Sequence, residues 1–158
     1  MTRLQPGDTA PDFTLPDSAG TPVSLAEVRA GADKGVVVYF YPKAGTPGCT
    51  TEACDFRDNL ASLAGAGYAV VGVSADPAED VRAFVESEHL TFPLLSDADH
   101  AVADAYGTWG PKTVGGRTFD GVHRCTFVVE PDGTLRTAEY DVEATGHVAA
   151  LRAQLVGA

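Results

Sequence analysis

Residues 35–42 read Gly-Val-Val-Val-Tyr-Phe-Tyr-Pro, and this run constrains the fold more than any other stretch of the chain. It is β-branched and aromatic, and it is apolar without alternation. A strand covered on both faces of a sheet reads this way. A Gly- and Pro-containing turn follows. Cys49, Ala53, Phe56, Leu60 and Leu63 then recur at spacings of 4, 3, 4 and 3, which predicts a helix over 49–64 with one buried stripe. Gly65-Ala66-Gly67 ends it. Residues 68–74, Tyr-Ala-Val-Val-Gly-Val-Ser, repeat the buried-strand pattern. Two strands joined through a helix need a crossover, so they are expected to run parallel.

The flanking segments complete the pattern. Residues 5–24 hold Pro6-Gly7, Pro16-Asp17 and Gly20-Thr21-Pro22 around short apolar pieces, an extended and hairpin-like lead-in. Asp76 is expected to cap the next helix, with Pro77 at its first position and Val81, Phe84 and Val85 buried. Residues 92–97 form a short strand or turn, and a helix over 98–106 follows. Residues 107–122 are rich in Gly and poor in apolar periodicity, which reads as an exposed loop. Residues 125–129 are a strand, 130–133 a tight turn, 134–140 an antiparallel return, and 145–156 an amphipathic helix carrying Val148, Leu151 and Leu155. The expected fold class is α/β. The element order is that of a thioredoxin-like fold, with a mixed central sheet, helices on both faces and an N-terminal β-hairpin extension. A single domain over 1–158 accounts for the length.

Charge and cysteine usage narrow the function classes. Acidic residues outnumber basic ones 22 to 11, a formal net charge of −11. Such a chain is a poor ligand for nucleic acid or anionic membrane. No apolar leader opens the sequence and no stretch suits a membrane span, so a cytoplasmic location is expected. Three cysteines are too few, and odd in number, for a secreted disulfide framework. In a reducing compartment they start as thiols.

The informative segment is 42–54, between the end of a buried strand and the first turns of a helix. Open α/β sheets place their sites there. Cys49 falls at or near the helix N-terminus, where unpaired N–H groups and the helix dipole favour an anion. The thiolate is the nucleophilic form of cysteine. Cys54 lies five residues on. On an intact helix that spacing separates the two Cα atoms by about 8.6 Å, beyond the roughly 7 Å a disulfide tolerates. Either the two never bond, or the first turn of the helix unwinds to let them.

The string Pro42-x-x-x-Thr46-x-x-Cys49 resembles the active-site signature of peroxiredoxins. Cys-Thr-x-Glu-x-Cys-x-Phe-Arg-Asp from Cys49 to Asp58 is similar to the peroxiredoxin Q, or bacterioferritin-comigratory, branch. The likeness continues in Gly107-Thr108-Trp109, in Gly121-Val122-His123-Arg124 and in Thr126-Phe127-Val128-Val129. The resemblance implies a thiol-dependent peroxidase acting on hydrogen peroxide and organic hydroperoxides. Cys49 matches the peroxidatic cysteine, which becomes a sulfenic acid. Cys54 matches the resolving cysteine, which condenses with it to an intramolecular disulfide. Thr46 matches the hydroxyl that holds the peroxide, Arg124 the arginine at the sulfur, and Pro42 the residue that shields the site. Gly48 adds a backbone donor. A thioredoxin-type dithiol is the implied reductant. No metal or organic cofactor is implied, and the chain is expected as a monomer or weak homodimer.

Three residues carry less weight. Glu52 reads as a first-turn carboxylate with a supporting contact to an arginine in prospect. Cys125 reads as a core residue facing away from Arg124 across the sheet. Trp109 reads as loop packing.

Overall fold

A computed structural model describes residues 3–156. The lead-in is a small hairpin, β1 (Thr14–Pro16) against β2 (Pro22–Ser24), and it runs into α1 (Leu25–Ala30). Ser24 caps α1 through its hydroxyl, which accepts from the Glu27 N–H. The central strand is β3 (Gly35–Phe40), and all six of its residues are buried. The uninterrupted apolar run therefore means what it predicts: both faces of β3 are covered.

From β3 the chain makes α2 (Pro47–Gly65), β4 (Tyr68–Ser74), α3 (Ala78–Glu88), β5 (Leu94–Ser96) and α4 (Ala101–Ala105). An antiparallel ribbon of β6 (Trp109–Val114) and β7 (Arg117–Val122) comes next. The chain closes with β8 (Cys125–Val129), β9 (Leu135–Glu139) and α5 (His147–Val156). The main sheet has the order β5-β4-β3-β8-β9. β3 pairs parallel with β4 and antiparallel with β8, so the sheet is mixed as expected.

Two apolar layers sandwich the sheet. On one side Val37 and Tyr39 of β3 pack with Cys49, Phe56 and Leu63 of α2 and with Val148 and Leu151 of α5. On the other, Val36, Val38 and Phe40 pack with Phe13, Leu25, Ala103, Tyr106, Cys125 and Phe127. Tyr39 stacks on Phe56 with ring centroids 4.5 Å apart, which anchors α2 to the strand that precedes it. A phenyl ring buried this fully costs about 3–5 kcal/mol when cut back to alanine. Among the described residues no helix is long and apolar enough to cross a membrane.

Two expectations need correction. Residues 107–122 are not a loop. They form the β6–β7 ribbon, turned by Gly115-Gly116, whose positive φ values of 60° and 80° suit a two-residue hairpin turn. Much of the ribbon is exposed, so it lacks the apolar alternation by which a half-buried strand is read. Asp76 is not the cap of α3 either. Pro77 occupies the capping position in extended geometry and the helix starts at Ala78. The Asp76 carboxylate is turned to the β3–α2 loop, where it accepts from the Ala44 N–H at 2.7 Å.

Candidate active site

The site is built where β3 hands over to α2. Pro42 is half-buried just past the strand, after Tyr41, whose N–H still reaches the Val73 carbonyl of β4. The intervening loop is tied by Asp76 at Ala44 and by the Thr46 hydroxyl, which donates to the Lys43 carbonyl at 2.8 Å. Thr46 occupies the N-cap position but gives no side-chain bond to the helix, and Pro47 opens the first turn. The first closed helical bond runs from the Thr50 N–H to the Thr46 carbonyl at 2.8 Å. The N–H groups of Gly48 and Cys49 precede it, so they have no acceptor within the helix.

Cys49 is only 1% exposed, with its sulfur under the sheet-facing side of α2. Arg124, next to the start of β8, reaches across to it. Its Nη2 donates to Cys49 Sγ at 3.4 Å, and its Nη1 donates to Glu52 Oε1 at 2.6 Å. One guanidinium therefore bridges two residues of the first helical turns, three apart on one face. Gly48 makes this approach feasible. A Cβ there would lie 3.1 Å from Arg124 Nη2. Burial opposes the Arg124 charge, but Glu52 and Cys49 outweigh it and hold its pKa above the ordinary value.

Glu52 is fully buried, a depth that its reading as a first-turn carboxylate does not specify. Burial pushes its pKa up to about 7, with Arg124 opposing. Its Oε2 has no hydrogen-bond partner among the described residues. The contact to an arginine does form, and it is Arg124 that makes it.

Cys54 sits on the flank of α2, half-buried, and its thiol donates to Glu88 Oε1 at 3.7 Å. Burial pushes this thiol up, Arg57 opposes and Glu88 adds to the rise. All three cysteines are free. Cys49 and Cys54 belong to one continuous helix, so the separation of about 8.6 Å holds between their Cα atoms. Cys125 lies in the opposite apolar layer, paired with Phe40 across the strands, and burial pushes its thiol up to about 12.

Two further residues join the site without a motif to announce them. Asp76 positions the loop, although its Asp-Pro context reads as a helix cap. Lys112 of the ribbon donates its Nζ to the Val122 carbonyl at 2.9 Å, two residues before Arg124, and burial lowers its pKa. Only recognition of Gly-Gly as a hairpin turn would have brought Lys112 back toward Arg124. Trp109 starts the ribbon and stacks on His100 with ring centroids 3.8 Å apart, which is packing as expected.

Residues 6–138 match the AhpC/TSA family profile. A Mycobacterium tuberculosis protein named as a peroxiredoxin is 55% identical over 154 residues, covering 98% of this chain and 96% of the relative. The Escherichia coli protein named peroxiredoxin Bcp is 45% identical over 147 residues, covering 93% of this chain and 92% of the relative. Among solved structures, the Xanthomonas campestris bacterioferritin comigratory protein superposes with a TM-score of 0.84 at 35% identity, over 99% of this chain and 97% of that one. That protein is described by its alkyl peroxide reduction activity. With a family profile across most of its residues and relatives of this identity over more than nine-tenths of them, the chain belongs to the AhpC/TSA family and is a peroxiredoxin, a thiol-dependent peroxidase.

Proposed function

We propose that Cys49 is the peroxidatic nucleophile and that hydrogen peroxide and organic hydroperoxides, alkyl peroxides included, are its substrates. The observation that carries this is the Arg124 guanidinium 3.4 Å from a buried sulfur at a helix N-terminus. Positive charge and helix dipole both favour a thiolate there. The thiolate attacks one peroxide oxygen, the O–O bond breaks, and the leaving oxygen departs as water or alcohol after taking up a proton. Cys49 is left as a sulfenic acid. Arg124 and the N–H groups of Gly48 and Cys49 stabilise the charge that develops on the oxygens. The Thr46 hydroxyl proton is engaged by Lys43, which leaves its lone pairs to accept the peroxide O–H. Pro42 shields the reacting atoms from water, and Glu52 positions Arg124.

Cys54 then resolves the sulfenic acid. The competing thiol, Cys125, is on the far side of the sheet from Cys49, which favours Cys54 despite the helix between them. The first turns of α2 unwind so that the two sulfurs meet. A thioredoxin-type dithiol reduces the disulfide by exchange. We read the chain as a single cytoplasmic domain over 1–158, active as a monomer or weak homodimer.

Peroxide consumption with a thioredoxin system tests the assignment. Cys49→Ser is expected to reduce turnover to background. Cys54→Ser is expected to form the sulfenic acid but no intramolecular disulfide. Retained turnover in Cys49→Ser, or a Cys49–Cys125 linkage in peptide maps of the oxidised wild type, overturns it.

A further inference from the structure

Glu88 closes α3, away from the end of α2 where peroxide binds, yet it touches a reacting thiol. Its Oε1 accepts from Cys54 Sγ at 3.7 Å and its Oε2 from the Ser87 hydroxyl at 3.5 Å. Arg57 lies three residues beyond Cys54 on the same face of α2, and its Nη1 donates to the Glu88 carbonyl at 2.5 Å. That places a cation at the C-terminal end of α3, where helix carbonyls lack partners. His89, in the left-handed region with φ 52°, ends α3 immediately afterwards. Glu88 is thus held by its own helix terminus and is presented to the flank of α2.

The N-terminal end of α2 is tied by Arg124, which holds Cys49 and Glu52, and not by a cap of its own. Thr46 supplies no side-chain cap, and no acidic residue complements the dipole in the first turn. At Cys54 the restraint on unwinding comes from α3.

We propose that Glu88 is a positioning residue for the resolution step: it retains Cys54 as a protonated thiol on the intact helix and so sets how often a Cys49 sulfenic acid is oxidised further instead of resolved. This rests on Cys54 being the resolving cysteine. Glu88 stays on α3 and cannot accompany Cys54 across the roughly 8.6 Å that separates the cysteines. The Cys54 thiol must leave Glu88, release its proton to solvent and attack the Cys49 sulfur. The S–S bond forms, the S–O bond breaks, and hydroxide departs as water on taking up a proton. A second peroxide competes for the same sulfenic acid by transferring an oxygen to sulfur, which gives a sulfinic acid and one water or alcohol. Every delay in the release of Cys54 favours that second reaction.

The charged groups facing Cys54 are Arg57 and Asp58 from α2 and Glu88 from α3. Replacing Glu88 by glutamine removes one anion and the stronger acceptor while keeping the side-chain length. Reduced full-length chain is mixed rapidly with hydrogen peroxide, quenched in acid, alkylated and analysed by mass spectrometry across a pH series. Glu88→Gln is expected to speed Cys49–Cys54 disulfide formation about three- to tenfold at neutral pH, since a hydrogen bond to a charged acceptor is lost. The pH midpoint of that step moves down, the sulfinic fraction at high peroxide falls, and the rate of first-turnover peroxide consumption is unchanged. An unchanged or slower disulfide step overturns the proposal. So does a faster step with an unmoved pH midpoint, which marks simple loosening of the contact between α2 and α3. If the wild type itself forms no Cys49–Cys54 disulfide, the assignment of Cys54 as resolving cysteine is what fails.

Discussion

Cys49 and Cys125 are both closed off from solvent, at 1% and 0% exposure, and both lie near the C-terminal end of β3. By burial alone they are the same residue. They belong to opposite layers of the sandwich, however, and adjacency in sequence decides which layer receives the charge. Arg124 and Cys125 are neighbours in extended chain, so their side chains leave on opposite sides of the sheet. The guanidinium goes to the layer of Cys49 and meets both the sulfur and Glu52. Cys125 is left among Val38, Phe40 and Phe127, where burial is the main cause that pushes its thiol up to about 12. The proposed difference in reactivity between the two buried thiols therefore follows from what faces each of them and not from depth.

Removing the cation is the most direct way to erase this contrast. Arg124→Ala is expected to lower kcat/KM for peroxide by at least about a hundredfold, as loss of a preorganised donor does elsewhere. It also takes the hydrogen-bond partner from the Glu52 carboxyl, which without the cation keeps its proton at neutral pH, and costs about 1–2 kcal/mol of stability. Stopped-flow peroxide reduction and urea unfolding check the two effects. A rate within threefold of the wild type means that the Cys49 layer owes its reactivity to something other than Arg124.

Glu52 sharpens the comparison through pH. Its folded pKa of about 7 lies above the ordinary value of 4.5, with burial as the main cause and Arg124 opposing. A carboxyl raised in this way stabilises the fold fully at pH below its unfolded pKa. That stability is lost as pH rises through the folded pKa. Between about pH 4.5 and 7 the change attributable to Glu52 is about 3 kcal/mol. Glu52→Gln is expected to flatten this part of the stability profile, measured by urea unfolding at several pH values. An unaltered slope means the titration belongs to other groups.

The smallest effect belongs to the other layer. Cys125→Ser is expected to leave peroxide turnover within about twofold of the wild type, while burying an unpaired hydroxyl costs about 1–2 kcal/mol. Loss of turnover in that variant, with the fold intact by circular dichroism, would make Cys125 a participant and dissolve the distinction between the two layers.

Much of the fold was legible because periodicity reports burial. β3 and β4 show as continuous apolar runs because both faces are covered, and α2 shows its stripe because one face packs on Tyr39 and Val37. The β6–β7 ribbon was not legible as strands, since most of its side chains meet water and leave no alternation to read. Asp76 departs from its local pattern for another reason. An aspartate before Pro77 suits a helix cap locally, and only the meeting of β4 with the β3–α2 loop offered its carboxylate a different donor.

The sequence by itself determined the mixed α/β architecture, the placing of Cys49 at a helix start and the separation of Cys49 from Cys54 on one helix. These follow from local spacing and backbone geometry, which act over a few residues. Tertiary structure alone decided that Glu52 is buried rather than solvated, that Arg124 spans 72 positions of chain to reach it, that Lys112 returns toward the site, and that Cys54 is held by Glu88. Each of these depends on which faces of distant elements come together and exclude water. Charge and hydrogen bonding at a buried site are set by that exclusion, and no local pattern records it.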